Sequence, residues 1–311
     1  MVQVVLRYVL QSKWISTNLI KRVVNTEPFV IPNLPHRLIF TRPQVPPFEL
    51  HEEENDFSKL RQQMRESEEK SYGVVINSFY ELESAYADYY KKVMGRKSWH
   101  IGPLLLCNKG GDEEKSQRGK ESEIDEHECL AWLDSKNPNS VVYVCFGSMA
   151  SFSPAQLHEI AAGLEASRQD FIWVVRKDKN EDWLPKGFED RIKGKGLIIR
   201  GNMCRRAYGD VADFVSSFFN EKLVTEVLGI GVSVASKKWQ RVGSEGVERA
   251  AVKTAVERIM VGEAAEEMRR RAKSYKETAR RAVEEGGSSY SGLNALIDEL
   301  SIYVPPQRNR T

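Results

Sequence analysis

In the second half of the chain the spacing of apolar residues alternates between two periods. Residues 140–146, SVVYVCF, form a near-continuous apolar run, the pattern of a strand buried on both faces. SPAQLHEIAAGLEAS follows and carries a full helix start. Ser153 is the N-cap, Pro154 takes the first helical position, and Gln156 three residues on completes a capping box. Leu157, Ile160, Ala161 and Leu164 then fall on one helical face. FIWVVR (171–176) and KGLIIRG (195–201) read as two further strands. FNEKLVTEVLG reads as a helix stopped by Gly229, and VSV (232–234) as a short strand. Strand–helix alternation of this kind predicts an α/β fold with a doubly wound parallel sheet.

The first half is patterned less regularly. MVQVVLRYVLQSKWISTNLIKRVV suggests a short amphipathic helix; Arg7 and Lys13 interrupt it, so it lacks the apolar core of a signal peptide. EPFVIPNLPHRLIFTRPQVPPFEL is extended loop, because each proline disfavours helix in the residue before it. A charged helix (EENDFSKLRQQMRESEEKS), a short strand (GVVINSF) and a helix (ELESAYADYYKKVM) follow. The tail is mostly helical: Ala265, Met268, Ala272, Tyr275, Ala279 and Ala282 recur at spacings of three and four. Glu266 and Glu267 stand four residues before Arg270 and Arg271, the spacing of supporting ion pairs on a solvated face. SGLNALIDEL makes a last helix after the turn GGSSY.

Composition narrows the picture without choosing a chemistry. The 311 residues suggest about two domains. A net charge of +2 gives no support for nucleic acid as a partner. No run of 18 apolar residues occurs, so no membrane span is expected. The four cysteines, Cys107, Cys129, Cys145 and Cys204, lack CxxC spacing, which favours a reducing, cytoplasmic setting over a disulfide framework. The five histidines are isolated, so no metal site is expected.

One loop stands out for chemistry: Phe146-Gly147-Ser148-Met149-Ala150, between a buried strand and a capped helix. Ligands of open α/β sheets bind beyond the carboxyl ends of strands. Gly147 would let a ligand approach the backbone, and Ser148 would offer a hydroxyl and an N–H near a positive helix end, which suits a phosphate. A tight strand–helix turn also uses a glycine for structural reasons alone, so the loop leaves both readings open. His36, His100 and His158 read as structural or surface residues, and no Ser/His/Asp order, paired carboxylates or GxGxxG is present.

SYGVVINSFYELE, WHIGPL, ECLAWLDSKNPNSVVYVCFGSMASFSPAQLHEIAAGLEAS, FIWVVRK and GLIIRG resemble the plant UDP-sugar-dependent glycosyltransferases, in particular the flavonoid and terpenoid branch. FFNEKLVTEVLGIGVSV, VERIMVGEAAEEMRRRA and GGSSY continue the likeness, which covers most of residues 27–300. The resemblance implies a GT-B-like fold of two Rossmann-like domains, here both incomplete. It also implies no cofactor beyond UDP-sugar as co-substrate, a small-molecule acceptor, and an inverting, metal-free transfer driven by a His base that an Asp orients. Residues 1–107 are then a remnant of the acceptor domain and 108–126 a charged disordered linker. Residues 127–289 are the UDP-sugar-binding domain, and 290–311 a C-terminal helix and tail. Gly147 and Ser148, matched within FGS, carry over as donor-binding residues.

Two departures go with the likeness. The family's opening strands, which hold the base, have no counterpart, so no catalytic residue carries over and the chain is expected to be truncated at its N-terminus. After GLIIRG the family continues with WAPQ, then HCGWNS, then an acidic residue and Gln just before FFNEK. Here Asn202 follows Gly201, no run resembles HCGWNS, and Ser216-Ser217 occupy the place of the acidic residue and Gln. A back-translation of Met203–Ala212, read one base later, permits Cys-Ala-Gly-Val-Pro-Met-Val-Thr-Trp, close to the family's run in this region. Residues 202–217 are therefore expected to be donor-loop sequence read out of frame, with the frame regained by Phe218. The chain as written is then an inactive hexosyltransferase or the product of a faulty gene model; the alternative is a non-catalytic remnant that binds a nucleotide or a protein.

Overall fold

The structure, a computed structural model, describes residues 27–45, 56–107, 126–146, 152–175, 183–200, 218–234 and 246–302. The amphipathic start, nearly all of the 108–126 linker, Gly147, Ser148 and the segment 202–217 lie outside the described residues. The chain divides into two compact units: Met1–Arg42, Pro47–Lys109 and Ala272–Thr311 form one, and Pro43–Pro46 and Gly110–Arg271 the other.

The second unit is built on a parallel sheet of β5 (Val141–Cys145), β6 (Asp170–Val175) and β7 (Gly196–Arg200), in that spatial order. Val142 pairs with Phe171, Val144 with Trp173, and Trp173 with Ile198. Strand side chains alternate between faces, so the near-continuous apolar runs furnish two cores. Val142, Val144, Phe171, Trp173, Val175 and Ile198 form one with Ile160, Ala161 and Leu164 of α4 (Pro154–Ser167) and Val252 and Val256 of α6 (Arg249–Met260). Val141, Tyr143, Ile172 and Ile199 form the other with Cys129 of α3 (Glu126–Asp134), and Trp132 and Leu133 pack on it. Each large side chain buried this way contributes about 1.5–3 kcal/mol. Trp173 is fully buried and meets the Trp183 ring edge-on at 5.3 Å. Gly163 lets α4 and α6 touch: a Cβ there would lie 2.6 Å from the Val252 Cβ and 2.8 Å from the Arg249 carbonyl oxygen.

In the first unit β1 (Phe29–Val30) and β2 (Ile39–Phe40) pair antiparallel, and β3 (Val74–Ile76) and β4 (Ser98–His100) pair parallel. The charged stretch forms the predicted helix, α1 (Asp56–Lys70). The Tyr90 hydroxyl of α2 (Ser84–Lys92) donates to Glu68 at 3.1 Å and so ties α2 to it. The last helix, α8 (Ser288–Ile302), lies on β4, where Gly292 admits the His100 carbonyl oxygen to 2.5 Å of an ideal Cβ position. Ser289 donates to the Gly102 carbonyl oxygen at 2.5 Å, and Ser288 to the Glu81 carboxylate at 2.8 Å.

Several local expectations are corrected. Residues 232–234 are irregular: a short apolar run becomes a strand only beside a partner ladder, and none pairs with it among the described residues. The helix after residue 217 changes type, with α5 (Phe218–Lys222) running into a wider π-turn, Leu223–Val227. In α7 (Glu263–Val283) the small-residue stripe is discontinuous: Ala265, Ala279 and Ala282 are buried while Ala272 is exposed. Its two ends are covered by separate cores rather than by one. Glu266 pairs with Arg269, and Glu267 with both Arg270 and Arg271, so the expected Glu266–Arg270 pair is replaced by one at a spacing of three. The final helix starts at Ser288, earlier than expected, because Ser288 and Ser289 face partners in the fold.

Candidate functional site

The carboxyl edge of the parallel sheet is where a ligand is expected. Cys145, Val175 and Arg200 end their strands there side by side, and the loops that leave this edge, 147–151, 176–182 and 201–217, lie outside the described residues. Gly147 and Ser148 belong to the first of these loops, and their stems are described. The Phe146 and Phe152 rings meet edge-to-face with centroids 4.4 Å apart, which closes the base of the loop. Ser153 then caps α4, its side chain accepting from the Gln156 backbone N–H at 3.2 Å, with Pro154 next in the helix.

The capping box is only half formed. The Gln156 side chain donates to the Val247 carbonyl oxygen at 2.9 Å instead of reaching back to the cap. Gly246 makes this approach possible, since an ideal Cβ there would fall 0.9 Å from the Gln156 Oε1. One turn on, Glu159 accepts from the Arg249 backbone N–H at 2.8 Å and from its guanidinium, Nε at 3.1 Å and Nη2 at 2.5 Å. Those bonds hold the Glu159 carboxyl below its ordinary pKa. The first two turns of α4 are thus braced by the start of α6, so the positive helix end has a fixed place at the sheet edge. A helix end of this kind favours an anion by about 0.3–1 kcal/mol. Sequence spacing located Ser153 and Pro154; it missed the Phe146–Phe152 closure and the Gln156–Val247 and Glu159–Arg249 ties, whose partners lie up to 91 positions apart.

The histidines sit as structural residues. His158 is exposed on α4. His36 stacks on Tyr86 at 5.4 Å. His100 is buried in β4, and its Nε2 has no hydrogen-bond partner. Burial, with the Lys91 charge as a smaller contribution, pushes its pKa down to about 4, so the imidazole is neutral at neutral pH.

A parallel sheet faced by helices on both sides, with a loop poised before a capped helix, is the architecture of nucleotide-binding α/β proteins. The chain is 52% identical over 308 residues to a scopoletin glucosyltransferase of Nicotiana tabacum, covering 90% of this chain and 64% of the relative. It is 48% identical over 316 residues to an anthocyanin 3'-O-beta-glucosyltransferase of Gentiana triflora, covering 90% and 65%. Its fold superposes on that of Glycyrrhiza uralensis UGT73P12, crystallised with glycyrrhetinic acid 3-O-monoglucuronide, with a TM-score of 0.86 and 35% identity, over 97% of this chain and 68% of that one. No protein-family model matches. The chain belongs to the plant UDP-glycosyltransferase family, and its fold is of the GT-B type. It spans about 64% of the length of the tobacco relative.

Proposed function

We propose that the chain descends from an enzyme that transfers glucose from UDP-glucose to a hydroxyl of a small plant metabolite, and that as written it does not hold the donor well enough to turn it over. The likeness to glucosyltransferases over 90% of the chain supports the first part. The second rests on residues 202–217, where the family's WAPQ, HCGWNS and acid–Gln run are replaced by unrelated sequence. Residues 127–289 are the donor half in this reading, with Gly147 and Ser148 on the phosphates at the positive end of α4. Residues 1–107 belong to the acceptor half, 108–126 link the two, and 290–311 form the closing helix and tail. UDP-sugar and a small-molecule acceptor are the partners, and the setting is cytoplasmic.

The donor's uracil, phosphates and sugar hydroxyls are large polar groups, and each loses affinity when its partner is removed. The order of the elements on either side of the altered segment supports a local loss, since β7 ends at Arg200 and α5 begins at Phe218. Replacing residues 202–217 with the corresponding stretch of the tobacco relative tests this. The grafted chain should bind UDP at least about 100-fold more tightly than the chain as written, read by calorimetry. Failure of the graft to bind would overturn the donor reading of residues 127–289. A retained nucleotide-binding remnant is separated from an enzyme by incubation with UDP-glucose and scopoletin or a flavonol panel, with chromatography for glucoside: the chain as written should form none.

A further inference from the structure

A second cavity lies in the first unit, at the amino end of β4, where the sheet's ligand edge is not. It encloses about 330 Å³. That volume is at the lower end of small-molecule sites. Its wall carries the side chains of Lys91, Arg96 and Lys97 and one carboxylate, Glu299. Lys97 is already engaged, bonded to Glu299 and donating to the Tyr72 hydroxyl at 2.8 Å. Arg96 uses Nη1 on two neutral acceptors, the carbonyl oxygens of Glu69 at 2.8 Å and Glu68 at 3.4 Å, and keeps its full charge. Lys91 pairs with no carboxylate among the described residues. The cavity therefore carries two more positive charges than negative ones.

Two further features bear on what it takes. Ser98 lines the cavity, is only 2% exposed, and its Oγ has no hydrogen-bond partner. A buried hydroxyl without a partner is costly and rare, and a ligand group at the inner wall would supply one. Trp99 gives the cavity an apolar wall and is itself fixed by stacking on Tyr72 at 6.2 Å. Gly95, in the left-handed region at φ 65°, has nothing within 4 Å of an ideal Cβ and leaves the rim open. Donors outnumber acceptors, the charge is positive, and one side is aromatic.

We propose that this cavity binds a small organic anion, its phosphate or carboxylate held by Lys91, Arg96 and the Ser98 hydroxyl and its apolar part laid against Trp99. The site is separate from the donor loop and does not depend on the glycosyltransferase reading. Calorimetric titration of the full chain with phenyl phosphate, and in parallel with benzoate, tests it. Saturable one-to-one binding of at least one probe is expected, with benzyl alcohol inert. Lys91→Gln should weaken it about tenfold and Ser98→Ala about threefold, while Lys193→Gln, an exposed cation of the second unit, leaves it unchanged. Lys91 is exposed, so its variant keeps the fold, and unchanged circular dichroism confirms that. Binding of neither probe, or binding of equal strength in Lys91→Gln, overturns the proposal; the latter result would place the anion at the β5–α4 loop instead.

Discussion

Gly163 and His100 show how single positions are constrained by what surrounds them. In an open helix, replacing Gly163 by Ala would gain about 1 kcal/mol of helix propensity. Here the added methyl meets Val252 and, more stiffly, the Arg249 carbonyl oxygen. The backbone contact decides the sign, so Gly163→Ala should destabilise the second unit by about 1–3 kcal/mol in urea denaturation. His100 is a neutral imidazole kept from water. Its folded pKa, about 4, lies below its ordinary 6.5, so the unfolded chain binds the proton more readily between those values. Stability from this residue is full above pH 6.5 and falls as the pH is lowered towards 4, by on the order of 3 kcal/mol. An NMR titration should find the His100 imidazole still neutral at pH 5; protonation near 6.5 would contradict the burial.

Among the elements, α4 controls the geometry of the sheet edge. Ser153→Ala removes its cap and should cost about 1 kcal/mol, measured as a lower denaturation midpoint. Arg249→Gln would release Glu159 from its bidentate partner, and the α4 start should then exchange amide hydrogens faster. Much of this element was legible in the sequence, because capping residues and a 3.6-residue apolar period are local signals. Strands β5, β6 and β7 were legible for the same reason, each being a bounded apolar run. What stayed hidden depends on distant partners. Gln156 fits a capping box by spacing, but Val247 takes its amide. The 232–234 run has strand composition without a described ladder. The small-residue stripe of α7 is regular in sequence while Ala272 is exposed between two covered ends. The donor-binding expectation for Gly147 and Ser148 came from a loop pattern that the described residues bracket and do not include.

At the scale of the molecule, the two units differ in how well they cover apolar surface. The second closes both faces of its sheet. In the first, β3 and β4 pair only with each other among the described residues, and Val75 is 43% exposed. Along α8, Tyr290, Leu293, Ile297 and Leu300 are exposed at spacings of three and four, and Leu104, Leu105 and Leu106 are exposed as well. A contiguous patch of that kind favours association. The purified chain should therefore self-associate at micromolar concentration in light scattering, and Ile297→Lys with Leu300→Lys should reduce it; an unchanged monomer in both cases would count against this. The same scale holds the functional claim, since the family likeness flanks residues 202–217 on both sides and the donor signature is absent between them. The most direct measurement is a calorimetric titration of the chain as written with UDP. The account predicts no saturable binding up to about 1 mM, and a dissociation constant in the low micromolar range, as for a nucleotide gripped by an intact site, would contradict it.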